Sequence, residues 1–229
     1  KNLCKPQLQP LFRCRNCCVG ETDKKQKQYA TEKNKYKFFH DTVYVRQEEY
    51  MSTLEHLYPE RVFYYFKQIA AIPHGSGNTK AISDYLVKFA KEHALTWYQD
   101  EANNVVLVKE ASKGYEMAPA IIIQGHMDMV CEKEKDCNLE MDKEGLRLYV
   151  DGDFLKAEGT TLGGDDGIAV AYALAILESD EISHPKLEVV ITVDEEIGML
   201  GAAVMDLSML TGHTMLNIDS DEEGTFLTG

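Results

Sequence analysis

His126 and Asp128 stand two residues apart at the end of the apolar run Ala120-Ile121-Ile122-Ile123. On an extended backbone, positions i and i+2 share a face. The imidazole and the carboxylate can then point together, one as a metal ligand and the other as its outer partner. Alone, such a pair is more often a surface histidine near an acid. Three further polar clusters follow. Thr160-Thr161-Leu162-Gly163-Gly164-Asp165-Asp166-Gly167 leads into an apolar segment. Two acids there could act as helix cap and dipole partners, while the glycines suit a crowded backbone near a site. Asp194-Glu195-Glu196 ends the run LEVVITV. Three successive carboxylates repel one another unless a cation, a raised pKa or solvent relieves them. Asp219-Ser220-Asp221-Glu222-Glu223 follows MLNI and, read alone, suits a solvated acidic loop equally well. Taken together, one histidine and several carboxylates at strand ends are the residue types that bind a pair of zinc or similar ions. Serine-nucleophile and nucleotide chemistries lack their motifs, because the chain has no G-x-S-x-G, no P-loop and no G-x-G-x-x-G in a suitable setting.

The elements that must position these clusters alternate between helix and strand. Pro59 suits a helix start, and Val62, Phe66 and Ile69 recur at helical spacing. Pro73-His74-Gly75-Ser76-Gly77 breaks the chain, and Ile82, Leu86, Phe89 and Ala90 mark one face of a second helix. Residues 105–108 read as a strand and residues 120–123 as a buried central one. Asp151-Gly152-Asp153 predicts a hairpin between residues 146–150 and 154–157. The segment IAVAYALAIL (168–177) is apolar on all sides and predicts a buried helix. Residues 187–193 and 215–218 read as two more buried strands. The order implies an α/β fold with a mostly parallel central sheet sandwiched by helices. In such sheets, catalytic groups gather beyond the carboxyl ends of the strands, where the four clusters fall.

Composition narrows the functional classes. The chain has 229 residues, 44% of them hydrophobic, and a formal charge of −14, which argues against nucleic acid or an anionic membrane as partner. No apolar run approaches the roughly 18 residues of a membrane span. No charged start followed by an apolar core opens the chain, so the expected compartment is the cytoplasm. Residues 1–50 carry 11 Lys+Arg against 6 Asp+Glu, while the remainder carries 13 against 32. That break predicts that residues 1–50 are a disordered or non-native extension, with Met51-Ser52-Thr53 resembling a natural start. Cys14-x2-Cys17 has no second pair at zinc-site spacing, and Cys131 and Cys137 are expected as free thiols.

The segments IIIQGHMDMV, GTTLGGDDGIAVA, VDEEIGMLGA and NIDSDEEG together resemble the co-catalytic zinc aminopeptidase/carboxypeptidase family, on its aminoacyl-histidine dipeptidase branch. ERVFYYFKQIAAIPHGSGN and DEANNVVLVK resemble the same branch, so the likeness runs from residue 51 to 229. It implies that residues 51–229 are the N-terminal portion of an incomplete, zinc-exopeptidase-like catalytic domain. By that resemblance His126 is the first metal ligand, Asp128 the acid that orients it, and Asp165 the carboxylate bridging two metals. Glu195 is the general base, Glu196 a ligand of the second metal and Asp219 the remaining ligand of the first. The resemblance also implies a cis peptide after the bridging acid. The implied activity is metal-dependent hydrolysis of dipeptides, Xaa-His and broader. Two Zn2+ ions, with Co2+ or Mn2+ as substitutes, would share a water that Glu195 deprotonates. The implied partners are a small peptide substrate and, for a longer parent, a second copy of itself. The family uses one more His further downstream, so this chain alone is expected to be inactive. A tripeptidase or aminoacylase of the same fold, and a non-catalytic truncated product, are the alternatives.

Overall fold

The structure is a computed structural model that describes residues 54, 56–219, 225 and 227–229. The expected extension over residues 1–50 lies outside the described residues. Residues 56–219 belong to one compact unit.

The chain enters through helix α1 (Glu60–Ala70), whose N-cap is Pro59, and helix α2 (Lys80–Glu92). The faces expected from spacing are the buried ones: Val62, Phe66 and Ile69 on α1, and Ile82, Leu86, Phe89 and Ala90 on α2. Strands β1 (Thr96–Gln99), β2 (Val105–Lys109) and β3 (Ile121–His126) follow. The hairpin β4 (Leu148–Asp151) and β5 (Phe154–Ala157) forms a separate two-stranded sheet. Helix α3 (Gly164–Glu178), strand β6 (Leu187–Thr192), the short helix α4 (Leu200–Val204) and strand β7 (Thr214–Asn217) complete the order.

The main sheet runs β1-β2-β6-β3-β7. Its site-bearing half, β6-β3-β7, is parallel, and β1 and β2 extend it by antiparallel pairing. Strand β6 is central and buried at every residue, as its apolar run requires. Helix α3 packs on β3 and α1, and α2 packs on β1 and β2. The small residues of α3 allow this close approach, and Ala169, Val170, Ala171, Ala173, Leu174 and Leu177 are all buried. Each large apolar side chain among Ile69, Leu86, Leu107, Leu174 and Ile191 is essentially inaccessible. Burial of one such side chain contributes about 1.5–3 kcal/mol.

Strand β7 corrects one expectation. Its apolar sequence reads as a buried strand, yet all four residues are exposed, with Met215 at 58% and Leu216 at 54%. It is an edge strand that pairs with β3 alone, so among the described residues nothing lies along its outer side. An apolar run reports capacity for burial, not the presence of a neighbour.

Candidate metal centre

Strands β3 and β6 run side by side with His126 opposite Thr192, so both carry the chain to the same end of the sheet. Beyond that end β3 delivers His126 and Asp128, and β6 delivers Asp194, Glu195 and Glu196. The loop before α3 brings Asp165 and Asp166 to the same place.

Gly163 makes that approach possible. Its φ of +66° is a left-handed conformation that glycine adopts without a Cβ penalty, and a Cβ there would lie 2.8 Å from Met129 Sδ. After Gly164, the two acids bend away from helical geometry, Asp165 with ψ 111° and Asp166 with φ −111°. The peptide between Asp165 and Asp166 is cis. Gly125 is the second close approach: a Cβ on it would sit 2.6 Å from Asp166 Oδ2. Bare backbone at Gly125 leaves room for Asp166, whose Oδ2 accepts the His126 N–H at 3.2 Å.

His126 is 1% exposed. Its Nδ1 faces Asp128, 3.3 Å from Oδ1 and 3.0 Å from the backbone carbonyl oxygen. Its Nε2 faces the acids, 3.0 Å from Asp165 Oδ1 and 4.0 Å from Glu195 Oε2. Asp128 is buried and ties several segments together. It accepts Ser76 Oγ–H at 2.7 Å, the Glu195 N–H at 3.0 Å and the Glu196 N–H at 3.4 Å. The Asp194 carboxylate accepts the Gly77 N–H at 2.7 Å, which fixes the other side of the turn.

The electrostatics are those of carboxylates crowded around one imidazole. Burial opposes charge on His126, but the hydrogen bond to Asp128 and the charges of Asp166 and Asp128 outweigh it and raise the pKa to about 9. Burial also opposes charge on Asp128, yet donors from His126, Ser76 and the Glu195 backbone hold it down at about 2. Asp166 is pushed up to about 7, first by burial and then by the charges of Asp219 and Asp165, with His126 opposing. Glu196 is raised by burial and by Asp165. In this region acids outnumber cations, which a bound divalent ion would relieve.

The donors also fit such an ion. One ligand atom each from His126, Asp165 and Glu196 lies within 4.8 Å of the others, the one such group among the described residues. The Asp128–His126 contact matches the pattern in which a carboxylate holds the far nitrogen of a ligating histidine and fixes its tautomer. Of the six residues singled out in the sequence, His126, Asp128, Asp165, Glu195 and Glu196 are brought together here. Asp219 follows β7, is exposed, and is not part of the three-residue group, although its charge is felt by Asp166. Sequence reading missed Ser76, which it treated only as part of a chain break. No local signal marks a serine whose partner is 52 positions away.

A groove of about 400 Å³ lies beside this cluster, lined in part by Ser76, Met129, Met141, Glu196 and Ile197. No helix among the described residues is long and apolar enough to cross a membrane.

No protein-family model matches the chain. Among curated proteins it is 37% identical over 179 residues to the cytosol non-specific dipeptidase of Escherichia coli, across 78% of this chain and 37% of that protein. Among solved structures it superposes on the aminoacylhistidine dipeptidase of Vibrio alginolyticus with a TM-score of 0.73 and 38% identity, over 77% of this chain and 36% of that one. A tripeptidase from Staphylococcus aureus shares the fold, with a TM-score of 0.60 at 24% identity over 71% of this chain and 44% of that one. The chain thus spans little more than a third of the length of the two dipeptidases it matches.

Proposed function

From a chain that belongs to the family of the aminoacyl-histidine and cytosol non-specific dipeptidases, we propose a metal-dependent dipeptide hydrolase whose His126, Asp165, Glu196 and Asp219 hold two divalent ions. The observation that carries this is the convergence of His126 Nε2 with carboxylate oxygens of Asp165 and Glu196, backed by Asp128. Zinc is the proposed ion, with cobalt or manganese as substitutes, and when bound it would polarise the scissile carbonyl and acidify the attacking water. Asp165, whose carboxylate lies near both His126 and Glu196, would be the ligand common to both ions.

The chain's own residues then do the following. Asp128 takes the Nδ1 proton of His126 in a hydrogen bond and leaves the Nε2 lone pair free to ligate. By donating to Asp128, the backbone N–H groups of Glu195 and Glu196 fix where those two side chains start. Glu195 takes a proton from the attacking water and passes it to the leaving amine. The groove beside Glu196 would receive one substrate side chain. The proposed compartment is the cytoplasm, supported by the name of the E. coli relative, and the proposed assembly is a homodimer of the complete enzyme.

Calorimetric titration with Zn2+ tests the reading, run beside an assay on Xaa-His dipeptides. Saturable binding that is lost in His126→Ala and weakened in Glu196→Gln is expected. Zinc binding that is absent, or indifferent to His126→Ala, would overturn it.

A further inference from the structure

Outside the metal cluster, one buried polar side chain is placed to control it. Asn104 immediately precedes β2 and is fully buried. Its Oδ1 accepts the Val193 N–H at 3.0 Å, and its Nδ2 donates to the Gly201 carbonyl at 3.0 Å and to Asp100 Oδ2 at 2.7 Å. Asp100 in turn accepts the Asn104 N–H at 2.8 Å through Oδ1. Every polar atom of the amide is therefore engaged, and the network itself fixes which way the amide points.

Val193 and Gly201 are the entry and exit of the turn that carries Asp194, Glu195 and Glu196. Within that turn the Gly201 N–H donates to the Val193 carbonyl at 3.1 Å, and the Gly198 N–H to the Glu195 carbonyl at 2.9 Å. A Cβ on Gly201 would fall 2.4 Å from Val193 O and 2.5 Å from Asn104 Oδ1, so the two ends and the amide are in mutual contact. Asp194 adopts a left-handed φ of +54°, held on its outer side by Gly77. The loop is thus closed like a purse at its neck, and Asn104 is the closure.

We infer that Asn104, locked by Asp100, is a positioning residue that sets the Glu195–Glu196 turn by clamping Val193 to Gly201. The inference rests on the reading above of Glu195 as base and Glu196 as ligand. The chemistry demands asparagine: the clamp needs one acceptor and two donors on one short planar group. Aspartate lacks the donors and would face the Asp100 carboxylate. Serine has a single donor, and glutamine is a methylene too long for a buried site without free space.

The test uses the full chain, with Zn2+ titration and backbone hydrogen exchange of residues 195–201. Asn104→Ala and Asn104→Asp are expected to weaken zinc by about 10-fold or more, the usual size of an effect exerted through a ligand's support. Exchange across the turn should accelerate in both. The exchanged pair Asp100→Asn/Asn104→Asp restores the Val193 acceptor and the link between positions 100 and 104 but leaves the Gly201 carbonyl without its donor, so it should recover only part of the affinity. Ile82→Val, a core truncation in α2, controls for general destabilisation, with solution conditions adjusted to give the same Tm. Should the Asn104 variants prove insoluble, Gly201→Ala presses on the clamp from the opposite side and should give the same signature. Wild-type affinity and wild-type exchange in the Asn104 variants would overturn the proposal, as would equal losses in Ile82→Val. If the wild-type chain binds no zinc, the metal reading fails, and the exchange measurement still decides whether Asn104 sets the turn.

Discussion

Glu188 and Asp166 are both buried carboxylates beside the paired strands β3 and β6, and their surroundings push them in opposite directions. Glu188 lies near the start of β6, away from the cluster around His126. It accepts the N–H groups of Thr211 and Gly212 and the Thr211 hydroxyl, at 2.7–3.0 Å, and pairs with Lys186 at 2.9 Å. Burial opposes its charge, but Lys186 and these donors hold its pKa at about 2. Asp166 lies beside the other end of the sheet, where burial and neighbouring acids drive it up to about 7. One end of the sheet gives a carboxylate more donors than its charge needs. The other gathers acids around one imidazole and leaves them in want of a cation. The first arrangement fastens Thr211 and Gly212 to the sheet; the second suits a bound cation.

The sharpest way to break that contrast is to neutralise an acid at the crowded end. Glu195→Gln keeps the shape and removes the proposed base. In the active enzyme, turnover of an Xaa-His dipeptide is expected to fall about 10²–10⁴-fold, the usual contribution of general-base catalysis. Zinc affinity and unfolding midpoint should change little. Near-normal kcat would remove Glu195 from the role.

At the other end the same change of carboxylate to amide should do the reverse. Glu188→Gln turns an NH2 group towards the Thr211 and Gly212 donors and removes the charge that Lys186 pairs with. A loss of about 1–3 kcal/mol in urea unfolding is expected, because buried donors lose their acceptor. Zinc binding should be unchanged. The pH dependence follows from the same group. Its folded pKa, about 2, lies below the ordinary 4.5, so its stabilisation is fully present above the ordinary value and is lost as pH falls towards 2. Linkage makes this roughly 3 kcal/mol. The acid limb of stability between pH 4.5 and 2 should therefore be shallower in Glu188→Gln than in the wild type. Parallel limbs would show that Glu188 does not govern it.

Much of this layout is legible in the sequence, and the remainder is hidden for physical reasons. The long apolar runs of β6 and α3 announce buried elements because burial is what such runs allow, whereas β3, read as a buried central strand, lies beside the central β6 and keeps Ile121 and Ile122 half-buried. The candidate metal site is legible because strand ends in one sheet converge, which brings acids and a histidine placed there together. Strand β1 escaped notice: Thr96, Trp97 and Tyr98 are exposed and show no alternation. β7 was misjudged because its apolar side chains have no cover among the described residues. The supports of the site were invisible for another reason. Asn104 reaches Val193 and Gly201 across 89 and 97 positions, and Ser76 reaches Asp128 across 52. Hydrogen bonds to distant backbone or buried acids leave no local pattern.

Asp128 supplies the smallest and most discriminating test, because it sits at the crowded end yet is equipped like Glu188. It is buried, accepts Ser76 Oγ–H and two backbone N–H groups, faces His126, and is held at about 2. If donor supply is what separates the two ends, removing one donor of several should cost little and act locally. Ser76→Ala deletes a 2.7 Å bond to Oδ2 and leaves the Glu195 and Glu196 amides in place. A stability loss of about 0.5–1.5 kcal/mol is expected, the net value of one intramolecular hydrogen bond. Zinc affinity should drop by less than about 10-fold, below the usual range for losing a ligand's partner outright, because His126 keeps its contact with Asp128. Calorimetry on Ser76→Ala, read beside Asp128→Asn, separates the two contributions. A Ser76→Ala variant as impaired in zinc binding as Asp128→Asn would mean that the serine, not the carboxylate, orients the histidine, and the likeness between Asp128 and Glu188 would fail.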